Sequence, residues 1–285
     1  MRAAGGPAVV SVNGSRGAGD GPAVPLSPQD LAESAVRAVA AGAGEVLVHP
    51  RTPCGRESLS PRVVGPVLEV LRDAGVGVPL TVPASSAAEP DPAERPARVR
   101  AWTVLPDRAV VHFAEPGAAE LAEVLLERGV LVDAVAPLGG AAGPEPLERL
   151  RAWLVRSPGG DRGGVRVVAE IVAGNTGKTG KAGPADERAT GPAPLPTGPA
   201  PLPTGPASLP TGLHGLAPQA VLLFGRDGAS WPVLRLAARC GTAARTGVGD
   251  VLHLPDGRPA RSNAELVAAA RELTLLEGSV RAASR

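Results

Sequence analysis

The chain is short of cysteine, of charge of one sign, and of long apolar runs. Its two cysteines, Cys54 and Cys240, stand far apart in 285 residues. That spacing suits neither a zinc site nor a disulfide framework, and a reduced, cytoplasmic protein is the expectation. No run of about eighteen apolar residues is present, so no bilayer span is expected. Met1 to Pro7 also lacks the apolar core of a signal peptide. The 29 basic and 28 acidic residues nearly cancel. Without a basic excess, neither nucleic acid nor an anionic membrane is an expected partner. Lysine is almost missing, at Lys178 and Lys181 only, and aromatics reduce to three Trp and two Phe. The preference for Arg, with so much Ala, Gly and Pro, points to high-GC coding rather than to a function.

What is abundant is glycine and proline, 37 and 32 residues, about a quarter of the chain. That is roughly twice the usual share. It excludes a coiled coil, and the lack of a Gly-X-Y period excludes collagen. Hydrophobic residues still make up 44%, too many for a wholly disordered protein. The length fits one large domain or two small ones, with material for a real core.

Eight short β-branched runs punctuate the sequence: Ala8 to Val12, Glu45 to His49, Val78 to Val82, Arg108 to Phe113, Leu131 to Val135, Val165 to Ile171, Gln219 to Leu223 and Ala244 to Val248. They are nearly continuous apolar runs, as parallel strands buried on both faces require. Between them lie helices. Ser27-Pro28-Gln29-Asp30 reads as an N-cap with Pro at the first helical position, followed by the stripe Leu31, Ala35, Ala38 and Val39. Ala118 to Arg128, Pro144 to Arg156, Ser230 to Arg239 and Asn263 to Glu277 have similar signals, while Pro66 and Pro96 interrupt two further stretches. Eight βα units predict an α/β fold of the closed (β/α)8 TIM barrel type, with active groups at the strand C-termini. An open doubly wound sheet is the alternative.

One segment breaks the rhythm. Gly191 to Thr211 reads GPAPLPT, GPAPLPT, GPASLPT, and so much Pro and Gly forbids a helix. With its flanks, about Gly174 to Pro218, it occupies the place of the sixth barrel helix. It reads either as a polyproline ligand for a partner domain, or as an expanded repeat forming a disordered Pro/Gly-rich insertion in a single barrel domain of 1–285.

Three spots invite chemistry. Gly177-Lys178-Thr179 follows a strand, but Val172 stands where a Walker loop needs Gly or Ala, and no apolar helix follows. His49 ends the second strand, where a histidine serves as metal ligand, base or hydrogen-bonded rim residue. Arg245 and Asp250 flank the end of the last strand. There a guanidinium either orients a carboxylate base or simply closes the barrel as an ion pair.

Several segments together resemble one family. They are VSVNGSR (Val10 to Arg16), VPLSPQDLAESAVRAVAAGAGEVLVHPR (Val24 to Arg51), GRESLSPRVV (Gly55 to Val64), EPDPAERPARVRAWTVLPD (Glu89 to Asp107), EPGAAELAEVLLERG (Glu115 to Gly129), SWPVLRLAARCGTAARTGVGD (Ser230 to Asp250) and HLPDGRPARSNAELVAAAREL (His253 to Leu273). In this order they are similar to the β-keto acid cleavage enzymes, named for 3-keto-5-aminohexanoate cleavage in lysine fermentation. The resemblance implies a zinc-dependent barrel, assembled as a homo-oligomer. Such an enzyme converts a β-keto acid and acetyl-CoA into acetoacetate and a new CoA thioester. Zn2+ would polarise the keto acid, a carboxylate would generate the carbon nucleophile, and polar groups would stabilise the oxyanions.

Carried over residue by residue, the resemblance assigns His49 as a metal ligand, Asp250 as base, Arg245 as its partner and Glu115 to the substrate cleft. It also shows departures. The family's first metal ligand, the leading histidine of its His-x-His-Pro-Arg, is Leu47 here, and its third, the glutamate of its Gly-Leu-Glu-Asp, is Gly249. The His-Gly before Trp-Pro is Phe224-Gly225, and Asn-x-Ser-Glu has become His112-Phe113-Ala114-Glu115. The Ser/Thr-rich turn after the third strand corresponds to Pro83-Ala84-Ser85. Two functions follow: an acyltransferase acting on a β-keto acid and a CoA thioester, or a catalytically disabled relative that binds, scaffolds or has no selected role.

Overall fold

The computed structural model describes residues 9–140, 143–156, 164–172 and 209–283. Eight parallel strands close on themselves in sequence order, from β1 paired with β2 round to β8 paired with β1. They are β1 (Val9–Ser11), β2 (Val46–Leu47), β3 (Leu80–Pro83), β4 (Arg108–His112), β5 (Leu131–Leu138), β6 (Val165–Ile171), β7 (Val221–Phe224) and β8 (Ala243–Thr246). The expected TIM barrel is therefore the fold, and the open sheet is excluded. Several strands are shorter than their apolar runs. His49, for example, lies two residues beyond β2, in the loop that a barrel uses for chemistry.

Among the described residues seven helices pack outside: α1 (Pro28–Ala40), α2 (Pro61–Asp73), α3 (Glu94–Arg100), α4 (Ala118–Glu127), α5 (Glu145–Val155), α6 (Ser230–Cys240) and α7 (Asn263–Ala283). The α1 start is the expected one: the Ser27 hydroxyl accepts from the Asp30 N–H and the Asp30 carboxylate accepts from the Ser27 N–H, a reciprocal cap. The two interrupted stretches are helical as well. Pro96 is the third residue of α3, where no intrahelical donor is needed. Pro66 lies inside α2 and removes one hydrogen bond, while Val64, Val67, Leu68 and Leu71 bury the apolar face that holds the helix.

Most of the expected insertion lies outside the described residues. From Leu209 onward the chain is packed: Leu213 is fully buried, and Leu209 and Leu216 lie against the main core. Arg151 of α5 donates to the Gly212 carbonyl at 2.6 Å. Two short 3-10 turns, Thr211–Leu213 and Pro218–Ala220, lead into β7. The irregular segment thus ends earlier than Pro218, because its leucines fill the flank of the barrel.

Period-two alternation sorts the inward-facing residues into layers. Glu45, Thr81, Arg108, Asp133 and Arg166 form a charged layer at the strand N-termini. Val9, Leu47, Val110, Val135, Val168, Leu222 and Phe224 form an apolar layer above it. Outward residues such as Val10, Val46, Val111, Ala134 and Leu223 join the helices in the main core. Among the described residues no helix is long and apolar enough to cross a membrane.

Candidate functional site

Above the apolar layer the strand C-termini converge on a polar cavity. Its walls include Ser11, Gly14, His49, His112, Arg226, Arg245, Gly249 and Asp250, with Leu47, Pro83 and Val110 completing the lining. The fold therefore brings His49, Arg245 and Asp250 together, from three different loops and strands. The free space among them is about 20 Å³, room for little more than one water.

His49 is fixed on both its backbone and its ring. Its N–H donates to Asn13 Oδ1 at 2.9 Å and its carbonyl accepts from Asn13 Nδ2 at 3.0 Å. Ring atom Nδ1 lies 3.0 Å from Glu57 Oε2. Burial works against the charge of Glu57, but the hydrogen bond and charge of His49 and the nearby Arg51 outweigh it, so the carboxyl sits below its usual range. Arg51 in turn donates to the carbonyls of Gly14 at 2.8 Å and Gly55 at 3.0 Å. One loop thereby carries both the histidine and the groups that orient its ring.

Arg245 and Asp250 form a bidentate pair, Nε to Oδ2 at 2.9 Å and Nη2 to Oδ1 at 2.7 Å. Both side chains are almost wholly buried. The guanidinium carbon also lies over the Phe224 ring, 3.5 Å from its centroid, a favourable contact of cation with π-face. Arg226 turns its Nε to Glu170 at 2.8 Å. His112 is held neutral: burial pushes its pKa down to about 4, helped by the positive charges of Arg245, Arg226 and His49 and opposed by Glu115. The cavity is thus lined by two guanidiniums and two imidazoles, with Asp250 as its one carboxylate wall residue.

Glu115 does not line this cavity. Its carboxylate accepts from Ser86 N at 2.9 Å, Ser86 Oγ at 2.8 Å and buried Arg95 at 2.8 Å, bracing the turn after β3 against the turn after β4. Leu47 belongs to the apolar layer and is 2% exposed. At Gly249 the backbone N–H donates to the Ser11 carbonyl at 2.9 Å. A Cβ there would meet Ser11 Oγ at 2.3 Å and the Gly14 nitrogen at 2.7 Å. Gly14 itself has φ +56 and would strike Gly249 in the same way, so two turns touch where only glycine fits both.

A catalytic zinc ordinarily keeps three protein ligands. Of the three positions that the resemblance assigns, only His49 offers a donor atom. Leu47 offers hydrocarbon, and Gly249 has neither a side chain nor room for one. Among the described residues no group of three His, Cys, Asp or Glu side chains is placed to hold a metal ion. At two of the positions that would hold the zinc the resemblance implies, Leu47 and Gly249, no side-chain donor is present.

Asn13, Glu57 and Arg226 were not singled out by their sequence context. Arg226 is legible in hindsight, since it continues the inward alternation Leu222, Phe224. Glu57 reaches His49 because the chain turns back at Gly55, with φ +82, and bridges Arg51 to Glu57.

Compared with solved structures, the chain is similar to dihydropteroate synthase from Burkholderia cenocepacia bound to 7,8-dihydropteroate. The TM-score is 0.48 at 15% identity, over 98% of this chain and 93% of that one. It is also similar to apo ObcA, with TM-score 0.48 at 13% identity over 90% of this chain and 63% of that one. The carboxyl transferase domain of Rhizobium etli pyruvate carboxylase gives a TM-score of 0.49 at 12% identity, over 96% and 47%. No curated protein matches. The sequence model of the β-keto acid cleavage enzymes matches residues 9–133 and 198–280, most of the chain, its second stretch beginning within the repeat. The chain belongs to the β-keto acid cleavage enzyme family.

Proposed function

We propose that this chain is a β-keto acid cleavage barrel that binds a small keto acid anion at its mouth and does not run the zinc-dependent exchange with acetyl-CoA. The observation that carries the reading is the replacement of donors by hydrocarbon and backbone at Leu47 and Gly249, beside an intact Arg245–Asp250 pair. Arg245 and Arg226 suit the carboxylate of a keto acid, which takes charge-assisted hydrogen bonds from guanidinium. Without a metal to polarise the keto oxygen, the reaction loses several kcal/mol of charge stabilisation. Each 1.4 kcal/mol is a factor of ten in rate.

The competing reading is the full family reaction, a β-keto acid and acetyl-CoA giving acetoacetate and a new acyl-CoA. The retained Asp250, oriented by Arg245, favours it. Calorimetric titration with acetoacetate separates the two when paired with a turnover assay. The expected result is saturable binding without turnover, weakened about tenfold or more in Arg245→Met, the loss of one charge-assisted contact. Sustained turnover of a β-keto acid with acetyl-CoA would overturn the proposal, and so would a failure to bind acetoacetate.

A further inference from the structure

The cavity at the barrel mouth is too small for any keto acid as it stands, about 20 Å³ free, so something has to move before a ligand enters. Its walls include the turns after β1, β7 and β8, which contribute Gly14, Arg226 and Asp250. Two of these turns are joined by a side-chain pair: Arg16 Nη2 donates to Asp227 Oδ1. The Asp227 N–H also donates to the Asp250 carbonyl at 2.7 Å, and the Gly249 N–H to the Ser11 carbonyl at 2.9 Å. Asp227 is the one non-glycine residue with positive φ among those described, at +47. Aspartate tolerates this left-handed region better than most residues, at some conformational cost.

We propose that the Arg16–Asp227 ion pair is a latch over the barrel mouth, and that its release lets the turn after β7 swing aside and admit ligand to Arg245 and Asp250. The pair is placed to open. Asp227 is 70% exposed while Arg16 is 17% exposed, and ion pairs with one solvated partner hold weakly and are screened by salt. Arg16 has somewhere else to go: Asp20 Oδ1 lies 3.9 Å from its Nη1, and its buried Nε has no hydrogen-bond partner. The left-handed backbone at Asp227 is relieved when the turn leaves its closed position. Arg226, next in the chain, leaves with it and would carry a guanidinium out toward an arriving anion.

The identity of the ligand rests on the function proposed above, but the latch does not, and the experiment reads the two apart. Amide hydrogen exchange on the intact, ligand-free chain follows the Asp227 and Gly249 N–H groups at low salt and at 1 M NaCl. In Arg16→Gln, and equally in Asp227→Asn, both amides should exchange about three- to fivefold faster at low salt, the weight of one exposed pair. The double variant should add nothing further, because both changes break the same contact. Salt should speed the wild type toward the variants and leave the variants unchanged, while amides of β5 and β6 stay protected throughout. The association rate of acetoacetate should rise by a similar factor in Arg16→Gln. Exchange at Asp227 and Gly249 that ignores both substitutions and salt would overturn the latch. So would faster exchange with an unchanged association rate. If acetoacetate binds to none of the proteins, the proposed ligand class is wrong, and the exchange data alone decide the latch.

Discussion

Arg166→Met is expected to destabilise the barrel by about 3 kcal/mol, read as a fall in the urea midpoint with unchanged slope. Arg166 is the hub of the charged layer at the closed end. It donates to Glu45 Oε1 at 2.7 Å and Oε2 at 3.0 Å, and to Asp133 Oδ1 at 3.0 Å. Burial disfavours its charge, but Asp133 and Glu45 more than compensate and raise its pKa above the ordinary arginine value. Both acids are buried, Glu45 at 6% and Asp133 at 4% exposure. Without Arg166, Asp133 keeps Arg108 Nε at 2.7 Å. Glu45 keeps only the Thr81 hydroxyl, also at 2.7 Å. A carboxylate buried beside a lone hydroxyl is costly, which is why removing one partner costs more than the pair contributes. Adding Glu45→Gln to Arg166→Met should recover part of the loss, since it removes the stranded charge. A midpoint shift equivalent to less than about 0.5 kcal/mol would show that the layer is as weak as exposed pairs.

The second large effect is a loss of stability in mild acid that belongs to His112. Its pKa falls from an ordinary 6.5 to about 4 in the folded chain. Between those values the unfolded chain binds a proton that the folded chain refuses. Stability is therefore complete above about pH 6.5 and declines as the pH drops toward 4, by up to about 1.4 kcal/mol per pH unit for one proton. Urea midpoints of wild type and His112→Gln at pH 7, 5.5 and 4.5 separate this imidazole from the carboxyls. Glu57, whose pKa is lowered from an ordinary 4.5, adds its own loss from about pH 4.5 downward and does so in both proteins. The variant should lose less stability than the wild type on acidification. Parallel curves would mean that His112 accepts a proton freely in the folded state.

The barrel itself was legible because its strands are continuous apolar runs and its helices announce their starts, as Ser27 and Asp30 do for α1. Pro66 and Pro96 misled for a simple reason: proline breaks a helix only where the missing N–H matters, and buried packing of Leu68 and Leu71 holds α2 together regardless. The docking of Leu209, Leu213 and Leu216 was hidden by the repeat and its flank, whose composition says loop while their leucines still seek the core. At the mouth, His49, Arg245 and Asp250 could be read from motif and strand position. Asn13 and Glu57 could not, since their roles arise from turns that bring residues 36 and 8 positions apart to hydrogen-bond distance of His49. Nor could the close approach of Gly14 and Gly249, a matter of backbone against backbone that no residue pattern encodes. That approach changes the meaning of the glutamate's absence at Gly249. A side chain there requires the turn after β1 to move, so substitution at this position alone does not rebuild a ligand set.

The proposed function rests on a family barrel that keeps its Arg245–Asp250 pair without a zinc site. Metal analysis of the full chain, purified without chelator and then titrated with zinc, tests it most directly. Zinc is expected far below one ion per chain, with no saturable zinc binding that raises turnover of a β-keto acid with acetyl-CoA. One tightly held zinc per chain, with turnover lost on chelation and restored by zinc, would contradict it.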